Sequence, residues 1–326
     1  MINIGQEHIG KRADVFLFEY LRDSGDISLS RSVLRSNWGR LVKINNVFIK
    51  PSYKLRDGDV VEIVLGEIDR LIAEIDGSKR IEGEDGELNI LFENKDFLVV
   101  DKPKGMVIHP GLGNRRNTLA NRVRGYLEGK GEFEKKINRA GIVHRLDKGV
   151  SGIVVFAKTI KAQNFLQDQF EKHKVKKLYL AKVQYGELDP DVQKYIPPNK
   201  LNIRDEIETL KRDNFVPDES WLRVEGYIKR DIRSRVKMEF KKYQNGDGKR
   251  ALSFIKPISD KEVLVIIHTG RMHQIRASLA SLGMYIEGDT LYGSTRVSEM
   301  PNQIGLESIL LGFKDMKGND FVISKI

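Results

Sequence analysis

The longest apolar runs in this chain, residues 153–157 and 263–267, are only as long as a buried β-strand, and that limit sets most of what the chain can become. A membrane-crossing helix needs about 20 consecutive apolar residues, whereas a strand covered on both faces reads as just such a short unbroken run. Residues 1–12 also lack the apolar segment of a secretory signal. The chain is therefore expected in the cytoplasm and off the membrane. Helix and strand patterns alternate around the two runs. Residues 88–92, 97–100 and 152–157 read as strands, and residues 118–127 as a helix. Thr159 caps a second helix that spaces Ala162, Phe165, Leu166 and Phe170 on one face, after which Leu178, Leu180 and Val183 alternate as a strand. Residues 272–282 form a helix that Gly283 ends. With 40% hydrophobic and 31% charged residues over 326 positions, the chain can fill one large core or two smaller ones. The polar stretch 187–223, with Pro190, Pro197, Pro198 and Pro217, reads as an insertion of surface-loop character.

Charge divides the chain into three. Residues 1–65 carry 10 basic and 8 acidic side chains, residues 66–87 carry 3 and 8, and residues 88–326 carry 43 and 30. The middle segment, acidic and with four glycines, reads as a linker. The net charge of +10 is that of a protein that binds a polyanion, and most of it lies in the large C-terminal part. The chain has no cysteine, which excludes disulfides, thiolate metal sites and a cysteine nucleophile.

In residues 1–65, Ser28 and Ser30 can cap a helix holding Arg31, Val33, Leu34 and Arg35, with Gly39 at its end. A hairpin-like stretch follows, from Leu41, Val42 and Ile44 through the Asn45-Asn46 turn to Val47, Phe48 and Ile49. The Asp57-Gly58-Asp59 turn then leads to Val60, Val61, Ile63 and Val64. The order of these elements resembles the S-four-like RNA-binding domain, and the resemblance implies that Arg31, Arg35 and Lys43 meet RNA.

Three later segments place polar residues beside buried strands, where they need partners or a task. In Gly141-Ile142-Val143-His144-Arg145-Leu146-Asp147-Lys148-Gly149 the glycines bound a loop that can project Asp147 beside cations, as a nucleophile, a base or a structural ion-pair partner. In residues 267–276 a strand end, a glycine turn and a helix start bring up Arg276, whose fork suits a carboxylate or a phosphate. In Lys176-Lys177-Leu178-Tyr179-Leu180 the tyrosine either stacks on a base or packs in a core. Other chemistries fit poorly. Gly111-Leu112-Gly113 has no third glycine at dinucleotide spacing and no Lys-Ser pair, and Ser151 misses the hydrolase elbow spacing. His144, His268 and His273 lack the spacing of a helix-face metal pair, so no metal is expected.

These segments, in this order, resemble the RluA family of RNA pseudouridine synthases. The resemblance rests on HRLDKGVSG at 144–152, on ILFENKDFLVVDKPKGMVIHP at 90–110, on KKLYLAKVQYG at 176–186, and on HTGRMHQIR with EGDTLYG at 287–293. It implies an α+β catalytic domain over residues 88–326, with a mixed, mainly antiparallel central sheet and flanking helices. It further implies that Asp147 is the catalytic carboxylate, kept charged in a dry pocket by Arg276, and that Tyr179 stacks on the target uracil. Arg145 would enter the RNA stack in place of the flipped nucleotide, and Ile286 would wall the pocket. The implied reaction needs no cofactor. The implied partner is structured RNA, large-subunit ribosomal RNA first and tRNA second, bound by a monomer. Val150 in place of threonine and Met284-Tyr285 in place of His-Pro imply a different substrate preference or rate.

Overall fold

In a computed structural model the chain is described at residues 1–23, 29, 31–68, 70–71, 81–111, 114–135, 137–212, 216–234, 236–243, 247–293 and 303–326. Strands β1 (Ile2–Asn3), β2 (Val42–Ile44) and β3 (Val60–Ile63) form a small antiparallel sheet in the order β1-β3-β2. Helices α1 (Ala13–Asp23), α2 (Arg31–Ser36) and α3 (Trp38–Leu41) pack with it around Phe16, Leu17, Leu34, Trp38, Leu41 and Val61. The expected caps Ser28 and Ser30 lie outside the described residues. Gly39 does not stop the helical stretch but sits inside α3, because buried Trp38 and Leu41 hold that turn against the core.

The expected strand at residues 47–49 does not form. Asn45 and Asn46 both take positive φ, 52° and 64°, and the chain turns back only as far as a single bridge between Ile44 and Val47. The partner of β2 is instead β3. Asn45 fixes that choice, accepting from the Val60 amide and donating to buried Asp59, both at 2.9 Å. Past residue 65, Ile68 and Leu71 join the same core. Residues 81–87 lie along α4 (Leu119–Gly129), whose Arg124, Asn121 and Arg122 donate to the carbonyls of Ile81, Glu82 and Glu87.

The rest of the chain builds an 11-stranded sheet. Its main path starts with β4 (Asn89–Glu93), β5 (Phe97–Lys102), β6 (Ser151–Ala157), β13 (Leu306–Lys314), β7 (Lys176–Tyr185) and β11 (Glu262–Ile267). It ends with β10 (Lys249–Pro257), β8 (Leu222–Arg230) and β9 (Met238–Lys241). Strands β12 (Met284–Ile286) and β14 (Asp320–Ser324) pair with β7 and β13. Among the described residues only β6 and β13 run parallel, so the sheet is mixed and mainly antiparallel, as expected. Every residue of β6 is buried, which is why its sequence shows no alternation. One apolar cluster joins the sheet to α4 and α8 (Gln274–Ala280), and a second joins it to α5 (Ile160–Glu171), which Thr159 caps as expected.

The stretch 187–223 is more than a surface loop. It contains α6 (Pro190–Gln193) and α7 (Ile203–Lys211), and Ile207, Leu210 and Trp221 pack on Leu178, Leu264, Ile309 and Leu310 of the sheet. Its amphipathic period is confined to one short helix, so the prolines and charges around it mask the apolar face. Among the described residues no helix is long and apolar enough to cross a membrane.

Candidate active site

The loop before β6 carries Asp147. Gly141 enters it at φ 79°, where a β-carbon would strike the Ala157 carbonyl, and Gly152 leaves it at φ 114°, pressed against the Ser308 carbonyl. Both glycines let the loop lie flush on the sheet. The other brace is Lys102, fully buried at the end of β5, whose ammonium donates to the carbonyls of Pro103, Met106 and Lys148 at 2.9, 2.8 and 3.3 Å. Burial pushes Lys102 down to about 8, against the pull of the Asp147 and Asp101 carboxylates. A buried lysine thus ties the turn after β5 to the Asp147 loop.

Arg276 projects from α8 toward Asp147, with Nη1 3.6 Å from its Oδ2. The expected pair is present, but it is the weaker of two. Both of the arginine's hydrogen bonds, from Nε and Nη2 at 2.7 Å, go to Asp289, which is 1% exposed. The guanidinium also lies over the Tyr292 ring, 5.0 Å from its centroid. Burial lowers the Arg276 pKa but the hydrogen bonds and charge of Asp289 outweigh it, leaving it raised. Tyr292 is itself fixed, donating to the Met238 carbonyl at 3.0 Å, accepting from its amide at 2.9 Å and meeting His273 Nδ1 at 3.1 Å. His273, left-handed at φ 54°, brings Nε2 to 3.7 Å from Asp147 Oδ2. Burial and then Arg276 push its pKa down, while Asp147 and Asp289 oppose them.

Tyr179 stands on β7, 6% exposed, and burial with the nearby Asp147 charge holds its phenol well above the usual range. It lines a cavity of about 180 Å³ together with Asp147, Val150, Ile267 and Arg276. A larger recess of about 780 Å³ opens beside it, walled by Arg139, Lys148, His109 and Asn114. Asp147, Arg145, Leu146, His273 and Arg276 face both. The carboxylate therefore sits at the neck between a small apolar chamber and a wide basic recess, and exposed Arg145 stands at the same neck.

Ile286 lines neither cavity. It is 2% exposed in β12, paired to Val183 in the core, and Ile267, Val150 and Leu306 supply the apolar wall instead. In the small unit, Arg31 and Arg35 are not free cations, since both reach buried Asp14, at 3.0 and 3.5 Å, while staying 43% and 55% exposed. Lys43 lies 3.9 Å from Glu62 and 5.4 Å from the Phe48 ring centroid. His144 accepts from the Val155 amide at 3.0 Å, a structural role that holds the loop to β6. Sequence reasoning missed Asp289, Tyr292, His273 and Lys102 as parts of the site. The Gly-Asp turn and the tyrosine three residues on were visible signals for the first two. A lysine two positions past the apolar run 97–100 was the signal for the last.

The mixed, mainly antiparallel sheet with its flanking helices is the fold of pseudouridine synthase domains. The human RNA Pseudouridylate Synthase Domain Containing 1 shares the fold, with a TM-score of 0.52 at 21% identity over 74% of this chain and 86% of that one. Residues 96–281 match the RNA pseudouridylate synthase family, and the chain belongs to it. An uncharacterized RNA pseudouridine synthase of Aquifex aeolicus is 31% identical over 307 residues, covering 90% of this chain and 80% of the relative. Ribosomal large subunit pseudouridine synthase D of Neisseria meningitidis serogroup A is 29% identical over 323 residues, covering 96% and 73%. The protein is an RNA pseudouridine synthase, an isomerase.

Proposed function

We propose that the protein converts uridines of large-subunit ribosomal RNA to pseudouridine, with Asp147 as the reacting carboxylate. The observation that carries this is the place of Asp147 between the chamber lined by Tyr179 and the basic recess. In the reaction the bond from ribose C1′ to uracil N1 breaks and the uracil turns. A bond from C1′ to C5 forms, the C5 proton is released, and N1 gains one. An ionised carboxylate serves whether it attacks C1′ or removes a ribose proton. Arg276 stands beside it as a counter-charge without a hydrogen bond to it, because the bidentate pair with Asp289 fixes the guanidinium with Nη1 3.6 Å from Asp147.

The target base must leave the RNA stack, at a cost of a few kcal/mol. Stacking on Tyr179, worth about 1–3 kcal/mol, and insertion of Arg145 offset that cost. The ribosomal assignment follows the name of the Neisseria relative and the +10 net charge. On this reading the N-terminal unit is an S-four-like module that recruits large RNA, and the enzyme works in the cytoplasm as a monomer.

The test is tritium release from uracil C5 in unmodified ribosomal RNA and in bulk tRNA. Release from ribosomal RNA by the parent, reduced about a thousandfold or more in Asp147→Asn, is expected. Full activity in the variant sinks the assignment of Asp147, and release from tRNA alone sinks the ribosomal one.

A further inference from the structure

Lys177 lies two positions before Tyr179 on the same face of β7, about 7 Å away along the strand. It is 6% exposed, and among the described residues its ammonium has no hydrogen-bond acceptor and no carboxylate; it meets the ring of Phe170, 5.9 Å from the centroid. Burying a cation without a counter-charge is costly, and the desolvation pushes Lys177 down to about 8. The side chain opens into a cavity of about 160 Å³ that His173, His268 and Lys174 also line. His173 Nδ1 is buried there without a hydrogen-bond partner, and the His173 and His268 rings stand 5.4 Å apart. After the effect of burial, the charges that bear on His173 are those of His268, Lys177, Arg271 and Arg250. Ile267 walls both this cavity and the chamber of Asp147 and Tyr179. Phe170 in turn stacks on His144, 4.6 Å between ring centroids, three residues before Asp147.

A partly open space beside the reactive chamber thus holds unsatisfied donors and a surplus of positive charge. We propose that it is an anion subsite that takes a backbone phosphate of the RNA strand carrying the target uridine. A phosphodiester oxygen satisfies the Lys177 ammonium through a charge-assisted bond, and neutral His173, in the tautomer with its hydrogen on Nδ1, supplies a second donor. The separation of Lys177 from Tyr179 is of the order that separates a base from the phosphate of its own nucleotide. A base drawn into the chamber brings such a phosphate with it, so the subsite would anchor the strand while the base is held out of the stack. This assignment rests on the functional reading above.

The test pairs Lys177→Met, which keeps the buried stem, with substrate RNA whose linkages around the target uridine are made neutral one at a time as methylphosphonates. Lys177→Met is expected to weaken RNA binding about tenfold and to lower the slope of log Kd against log salt by roughly 0.7–0.9. One methylphosphonate position is expected to cause the same loss in the parent and none in the variant. Lys177→Arg is expected to retain the parent's slope, which separates lost charge from lost packing. Parental affinity and slope in Lys177→Met overturn the proposal, as does a methylphosphonate effect that is undiminished in the variant at every position. Inorganic phosphate that raises the melting temperature of the parent but not of Lys177→Met, with no linkage effect in RNA, assigns the subsite to free phosphate and also overturns it. A parent that binds RNA through Lys177 yet releases no tritium from any RNA overturns the functional reading and leaves the phosphate contact standing.

Discussion

Asp14 in the small N-terminal unit and Asp289 in the large one are both sealed from solvent, at 0% and 1% exposure, and both are answered by arginine, but in opposite proportion. Three arginines converge on Asp14: Arg12 Nε at 2.9 Å, Arg31 Nη2 at 3.0 Å and Arg35 Nε at 3.5 Å. One arginine, Arg276, serves both Asp289 and Asp147. The first cluster leaves positive charge over, on guanidinium groups that remain partly exposed, as a surface meeting phosphates requires. The second leaves a carboxylate over, facing a cavity. Asp289 takes two of the guanidinium's five N–H donors and fixes its plane, so Nη1 stands 3.6 Å from Asp147 without a hydrogen bond to it and the Asp147 oxygens remain available to a substrate. A buried aspartate is in both places the anchor, and the number of arginines decides what the surface can do.

The largest test of that contrast is Arg276→Met. With no second arginine or lysine on Asp289 among the described residues, the variant should lose about 3–5 kcal/mol of stability by urea unfolding, the cost of stranding a buried charge. A loss below about 1 kcal/mol contradicts the idea that one arginine carries the cluster. A smaller effect is expected at His144, a half-buried ring with no carboxylate beside it among the described residues. Burial, and then the nearby Lys177 charge, push His144 down to about 3 from an ordinary value of 6.5. Below pH 6.5 the unfolded chain takes up a proton there that the folded chain refuses. Stability from this group is therefore complete above pH 6.5 and lost as the pH falls toward 3, by up to about 1.4 kcal/mol per pH unit. His144→Asn should flatten that slope relative to the parent between pH 6.5 and 5; parallel curves count against a neutral buried His144. Smaller still, Arg31→Met should cost about 1 kcal/mol or less, since Arg12 and Arg35 stay on Asp14. Losing as much as Arg276→Met would erase the distinction between the two clusters. Removal of residues 1–75 should raise KM for large RNA by more than it lowers kcat. An unchanged KM removes the recruiting role given to that unit.

The strands and helices around the active site were legible because their signals are local. Thr159 caps α5, the unbroken apolar run of β6 announces burial on both faces, and Gly283 ends the helical stretch at φ 78°. Asp147, Tyr179 and Arg276 were legible as chemistry and do meet at one cavity. What the sequence hid was the pairing. Val47 looks like a strand start, but the left-handed Asn45 and Asn46 hand the register to β3. Ile286 looks like a pocket wall, but its place in β12 turns it into the core. Arg31 and Arg35 read as free basic residues because Asp14, which holds them, lies a helix away in sequence. The division of Arg276 between two carboxylates is a fact of three dimensions that no spacing records.

The parallel pairing of β6 with β13 has a consequence for how the protein is made. Strand β13 is inserted between β6, which follows the Asp147 loop, and β7, which carries Tyr179. On a ribosome, β6 and β7 emerge long before the strand that joins them. Until β13 arrives, two apolar strand edges stand open, and closing them requires a contact of long sequence separation, the slow and aggregation-exposed kind. The nascent chain thus holds an incomplete sheet from the emergence of β7 until residues 306–314 follow, and only then are the two halves of its reactive cleft brought into register.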